Sequence, residues 1–173
     1  MKEIIINKDY EGIERITNGD YVLNGNLNID GDLKIDLDDR LVVRGDLIVK
    51  GTIKTDETII SDYGIKAGHG IKAGWGIEAG WGIEAGHDIE AGEGIEAGLD
   101  ITCKWLSSKL RIFAGLCIWK KPSEKETFIT CEELREGEIA FGKLNLIPKK
   151  QIKEMTISEI SEALGYDIKV VKE

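Results

Sequence analysis

From Gly45 the chain divides into sixes without a gap: GDLIVK, GTIKTD, ETIISD, YGIKAG, HGIKAG, WGIEAG, WGIEAG, HDIEAG, EGIEAG and LDITCK. The third place is always Leu or Ile, from Leu47 to Ile101, and the fifth is always small or β-branched, from Val49 to Cys103. Of the 21 glycines, 11 fall between Tyr63 and Gly98, at the places beside these strands. A period of six is what a β-solenoid requires. On a short strand two inward residues flank one outward residue, and the neighbouring glycines let the backbone turn a corner. Each hexad therefore reads as one face of a coil.

Stacking distinguishes the number of faces. With three faces, about 18 residues per coil, Lys66 lies under Glu84 and Lys72 under Glu90. With two, Glu78 would stack on Glu90 and Glu84 on Glu96. Cross-strand neighbours about 4.8 Å apart feel that difference by a few tenths of a kcal/mol each. Three faces is the better solution, although Glu78 under Glu96 stays unfavourable in it. The expected fold is mainly β: a three-faced parallel β-helix with a small α/β cap at its C-terminal end.

The domain reading is an N-terminal cap over 1–21, coils over 22–122, and the cap over 123–173. GNLNID and GDLKID at 25–36 fit the hexad, and the eight residues Leu37 to Arg44 call for a bulge or corner loop. WLSSKL, RIFAGL and CIWKKP keep a loose six-beat to Pro122, so five to six turns are expected, a rod of roughly 25 Å. Beyond it, Phe128 to Cys131 and Glu138 to Leu146 read as strands. Thr156 with Glu159 forms a capping box and Gly165 stops a helix of about 157–164, and Ile168 to Val171 alternates like a strand.

The hexads GDLIVK, HDIEAG and EGIEAG resemble the G-x-[ILV]-x-[ACSTV]-x phase of bactofilins, over about residues 25–104. The resemblance implies a right-handed, three-faced β-helix. Bactofilins end in flexible tails and polymerise through bare coil ends, whereas this chain carries a compositionally distinct C-terminal region. The GIKAG and GIEAG run also resembles small uncharacterised proteins of phages and prophages, which implies a mobile-element origin and a bacterial host cell.

Charge separates along the chain. Residues 1–101 carry a balance of −11 and residues 102–173 a balance of +2, within a formal total of −9. An acidic surface repels phosphate backbones, so direct nucleic-acid or anionic-membrane binding is disfavoured and a basic protein surface is the expected partner. The N-terminus is too polar for a secretory signal and no apolar run approaches 18 residues, so a cytoplasmic protein is expected. Cys103, Cys117 and Cys131 form no CxxC pair, which leaves no disulfide framework or zinc signature.

The candidate binding residues lie in the repeat. Trp75 and Trp81 occupy a first place that Glu57 and Glu93 occupy elsewhere, so both should face water. The 18-residue stacking predicts three corner columns: Tyr63, Trp81, Leu99; Glu57, Trp75, Glu93; and Gly51, His69, His87, Trp105. The first is a continuous apolar stripe suited to a protein partner, unless the C-terminal cap folds over it. Glu78, Glu84, Glu90 and Glu96 read as a graded acidic face following Lys66 and Lys72, either for a basic partner or simply for solubility. Their regularity argues against catalysis, which needs a singular constellation. Two stacked histidines with no carboxylate at hand make a poor metal site. Hexapeptide acyltransferases place the large aliphatic residue four positions before the small one, whereas Ile65 precedes Ala67 by two, and no long loop with a lone His interrupts the coils. No cofactor motif is present. The expectation is a non-enzymatic protein-binding solenoid, in its sharper form a phage-encoded inhibitor of a host defence or nucleic-acid enzyme; the alternative is a self-associating scaffold.

Overall fold

A computed structural model describes residues 2–148 and 156–165. Three-residue strands, one per hexad, stack in parallel into a β-solenoid of about 7 turns with about 18 residues per coil. The first face stacks Glu3–Ile6, Asp32–Ile35, Ile53–Thr55, Ile71–Ala73 and Asp88–Ala91. The second stacks Tyr21–Leu23, Leu41–Val43, Ile59–Ser61, Ile77–Ala79 and Ile95–Ala97. The third stacks Leu27–Ile29, Leu47–Val49, Ile65–Ala67, Ile83–Ala85 and Ile101–Thr102.

The register is what the hexads require. Ile65 pairs with Ile83, Ile71 with Ile89, and Ile77 with Ile95, each 18 residues on. Third-place isoleucines point inward and are fully buried, and the fifth-place alanines lie beside them, so the large residue of one face packs against the small residues of the next. The middle residue of each hexad strand from Leu47–Val49 onward points out, whereas the middle residues Val22 and Val42 of the earlier coil are buried. Cys103 and Cys131 continue the small-residue column of the third face, with their neighbours Thr102 and Thr130 in register. Burial pushes the Cys103 thiol up to about 12, and Cys131 adds to that, so both are inert packing groups.

The coil that starts at Tyr21 is two residues longer than those after it: Tyr21 pairs with Leu41 and Leu27 with Leu47. The extra length is the loop expected between Leu37 and Arg44. Leu37 packs against the core, and Arg40 donates to both oxygens of buried Asp20 at 2.7 and 3.1 Å. Tyr21 Oη donates to Asp38 at 2.6 Å, which holds that carboxyl below its ordinary range. Ile13–Arg15 pairs antiparallel with Tyr21–Leu23, and Tyr10 and Ile13 cover the interior at this end. Antiparallel closure blunts an edge that would otherwise accept another strand.

Two boundaries differ from the sequence reading. Glu3–Ile6, assigned to the cap, belongs to the first face. At the other end, strands expected in the cap continue the coil: Phe128–Cys131 pairs with Ile101–Thr102, and Lys143–Leu146 pairs in turn with Phe128–Cys131. Trp105–Ala114 runs across the corner between the first and second faces as one strand, and Glu133–Phe141 pairs along it. The reason is local. WLSSKL has no glycine at the corner places, so the backbone bends without closing the tight turn that the GIEAG hexads make. CIWKKP forms no strand, and residues 115–123 are an irregular loop. The helix Ile157–Leu164 starts at Thr156, whose hydroxyl accepts from the Glu159 N–H, and ends at Gly165 with a φ of 73°. The expected strand at Ile168 to Val171 lies outside the described residues. Among the described residues no helix is long and apolar enough to cross a membrane.

Candidate protein-binding face

First-place side chains project from the corners because the strand before them ends in a small inward residue and a glycine. Backbone bonds tie each corner column together. The Trp81 N–H donates to the Tyr63 carbonyl at 3.0 Å, Leu99 to Trp81 at 3.2 Å, Glu93 to Trp75 at 2.9 Å, and His87 to His69 at 2.7 Å. All three columns read from the sequence are therefore present.

Their exposure separates them. Trp75, Trp81 and Tyr63 are 53%, 47% and 46% exposed, but Leu99 is 8% exposed and is not part of an accessible stripe. The loop that follows the long strand covers it: Gly115 donates to the Leu99 carbonyl at 2.8 Å and Cys117 to that of Gly98 at 2.7 Å. The same loop supplies two groups that the sequence reading missed, Ile118 at 86% and Trp119 at 77% exposed. Counted as a hexad, CIWKKP gave no sign that its aromatic would leave the coil. The Tyr63 and Trp81 rings meet edge to face at 5.4 Å and 81°, which fixes the indole without burying it.

The four glutamates do not share a face. Glu90 projects from the first, Glu84 from the third, and only Glu78 and Glu96 stack, on the second. Three-residue strands on a three-sided coil send successive middle residues in three directions, so a run along the chain cannot be a run along a surface. Two of the four are neutralised one coil below: Lys66 Nζ donates to Glu84 at 2.8 Å and Lys72 Nζ to Glu90 at 3.0 Å. Glu78 instead sits above Ile60, and Glu96 sits below Phe113.

The second face is therefore distinctive. Trp75 and Trp81 stand at its two edges, six residues apart, and the Glu78–Glu96 pair runs down its middle. Grooves lie on either side of that ridge. One, about 880 Å³, runs toward the first face past Glu93, Leu110 and Phe113. The other, about 770 Å³, is lined by Tyr63, Trp81, Ile118 and Trp119 with Arg44 and Asp62.

Surrounding protein raises the Glu78 carboxyl above its ordinary range, with Glu96 adding to the effect and Arg40 opposing it. A carboxyl raised on folding loses its proton first in the unfolded chain. Its contribution to stability is present below the ordinary glutamate value and lost as pH rises through the raised one. Glu78→Gln should therefore raise the thermal midpoint at neutral pH by the equivalent of about half a kcal/mol after solvent screening. The gain should shrink as pH falls through the raised value of Glu78 and be lost below the ordinary glutamate range, where the group is protonated in both folded and unfolded chains. A variant less stable than wild type at neutral pH would overturn the assignment of Glu78 as a strained charge.

On the third corner, His87 meets Trp105 edge to face at 5.2 Å and the Arg135 guanidinium lies 4.3 Å over the indole, so this column is a packed ladder. Among the described residues, no three His, Cys, Asp or Glu side chains are grouped to hold a metal ion. No protein family, curated protein or solved structure matches the chain.

Proposed function

We propose that this chain is a non-enzymatic binding protein whose second face docks on a basic surface of a protein partner. The observation that carries the reading is the Glu78–Glu96 pair, which has no salt bridge among the described residues, framed by exposed Trp75 and Trp81 on a solenoid that pairs its other two repeat glutamates with lysines. Exposed aromatics beside a charged ridge supply contact area at low entropic cost, and complementary charge sets orientation and encounter rate. Taken with the acidic balance of residues 1–101, this favours a partner that ordinarily holds a polyanion. In the sharper form the solenoid is a phage-encoded inhibitor, occupying the basic groove of a host defence or nucleic-acid enzyme in the cytoplasm and displacing nucleic acid.

The test is capture from bacterial lysate on immobilised protein, followed by a salt titration of the purified pair. Affinity should fall steeply between about 0.1 and 1 M salt, as the screening length drops from about 10 to about 3 Å. The Trp75→Ala/Trp81→Ala variant should fail to capture the same protein. Affinity indifferent to salt would remove the electrostatic mechanism.

The second reading is a self-associating scaffold. What favours it is the last coil, where Phe141, Leu144, Leu146 and Ile147 are exposed, in contrast to the covered N-terminal end. Stacked rods or fibres in negative-stain images of pure protein would support it, and a monodisperse species would count against it.

A further inference from the structure

The groove beside the Tyr63–Trp81 corner has a narrower chemical preference than a basic surface in general. Every arginine near it is already committed. Arg40 is held bidentate on Asp20, and Arg44 lies 3.2 Å from Asp62. On the far side of the ridge Arg111 lies 3.7 Å from Glu138. Among the described residues no cation forms a salt bridge with Glu78 or Glu96; Arg40, held by Asp20, only offsets Glu78 from a distance, and the pair is flanked in its column by Ile60 below and Phe113 above. The two residues stand in parallel register on neighbouring strands about 4.8 Å apart. Next to them lies an aromatic wall of Tyr63, Trp81 and Trp119.

An ammonium ion would answer the charge but not the wall, because it is compact and strongly hydrated. A guanidinium answers both: it is planar and weakly hydrated, it stacks on an indole, and its fork can donate to two acceptors at once. We infer that this groove receives an arginine side chain on an exposed segment of the partner protein, its guanidinium shared between Glu78 and Glu96 and packed against Trp81. A volume of about 770 Å³ holds more than one side chain, so the residues flanking the arginine enter with it and meet Ile118 and Trp119. The inference rests on the protein-binding reading and names the partner chemistry of the same face.

The experiment uses the full chain and three short peptides of the same length, carrying two arginines, two lysines or two citrullines, with binding followed by tryptophan fluorescence and calorimetry. The arginine peptide should bind about tenfold more tightly than the lysine peptide, about 1.4 kcal/mol, and the citrulline peptide should not bind measurably. Glu78→Gln/Glu96→Gln should weaken the arginine peptide about tenfold. Glu84→Gln/Glu90→Gln, which removes equal charge from the other two faces, should change it less than about twofold. Circular dichroism confirms that each variant keeps its strands. Equal loss in both double variants, or equal affinity for arginine and lysine peptides, would overturn the groove assignment while leaving the basic-partner reading intact. Capture of a basic protein by a chain indifferent to all three peptides would do the same. If lysate capture fails as well, both fall.

Discussion

Gly92→Ala should destabilise the solenoid by about 3 kcal/mol, while Gly76→Ala, in the same repeat, should be tolerated. Both glycines belong to GIEAG-type hexads and neither has a positive φ, so conformational freedom does not separate them. Distance does. A Cβ on Gly92 would lie 1.7 Å from the Gly74 carbonyl oxygen, an atom of the coil beneath that the sheet holds in place. A Cβ added at Gly68, Gly74, Gly80, Gly86 or Gly98 would likewise lie 1.9 to 2.1 Å from the carbonyl oxygen below. From Gly68 to Gly98 the sixth place is thus glycine where successive coils come together closely, whereas Lys50, Asp56, Asp62 and Lys104 hold it elsewhere. A Cβ on Gly76 meets the Thr58 methyl at 3.5 Å, ordinary contact, and the second place elsewhere holds Thr58, Asp88 or Asp100. Alanine at 76 also restricts the unfolded chain, which offsets any small loss. Urea unfolding of the two variants checks this. Similar midpoints would mean the coils can spread at their corners, and close stacking would not be what selects glycine.

Ile77→Ala is expected to cost about 3 to 4 kcal/mol, within the range for aliphatic truncations in a packed interior. Ile77 is fully buried between Ile59 below and Ile95 above. Its removal opens a void that the alanine column beside it cannot fill, because the single methyl groups of Ala79 and Ala97 are too short to reach into it. In a stacked array each coil touches only its neighbours, so the loss falls on two interfaces at once. The comparison is Ile48→Ala, an isoleucine one place out of phase and exposed on the third face, where the change should stay within about 0.5 kcal/mol. Equal destabilisation at 48 and 77 would mean that the inward ladder is not the main source of stability.

Much of the architecture was legible because it is periodic. A large residue at the third place and a small one at the fifth define inside and outside for any strand of that length. The Lys66–Glu84 and Lys72–Glu90 pairs mark the coil length as 18, and both form. Legibility failed where periodicity did. Residues 128–146 continue the solenoid with few repeat signatures, because the strands there are longer, and Gly137 inside Glu133–Phe141 and Gly142 after it both take a positive φ. The acidic face was misjudged for a related reason: Glu78, Glu84, Glu90 and Glu96 are regular in the chain, but chain order and surface order are different orders on a three-sided coil.

Local pattern by itself therefore determined the coil period, the buried isoleucine ladder and the corner positions of Tyr63, Trp75 and Trp81, since each depends only on alternation within one strand and on spacing between hexads. Tertiary structure alone decided that Leu99 lies under residues 115–119, that Ile118 and Trp119 join the groove, and that Glu78 and Glu96 form no salt bridge among the described residues. These depend on where a non-repeating loop settles and on which residues meet a full coil apart. A repeat constrains its own backbone, but it holds no information about the irregular segment that packs against it.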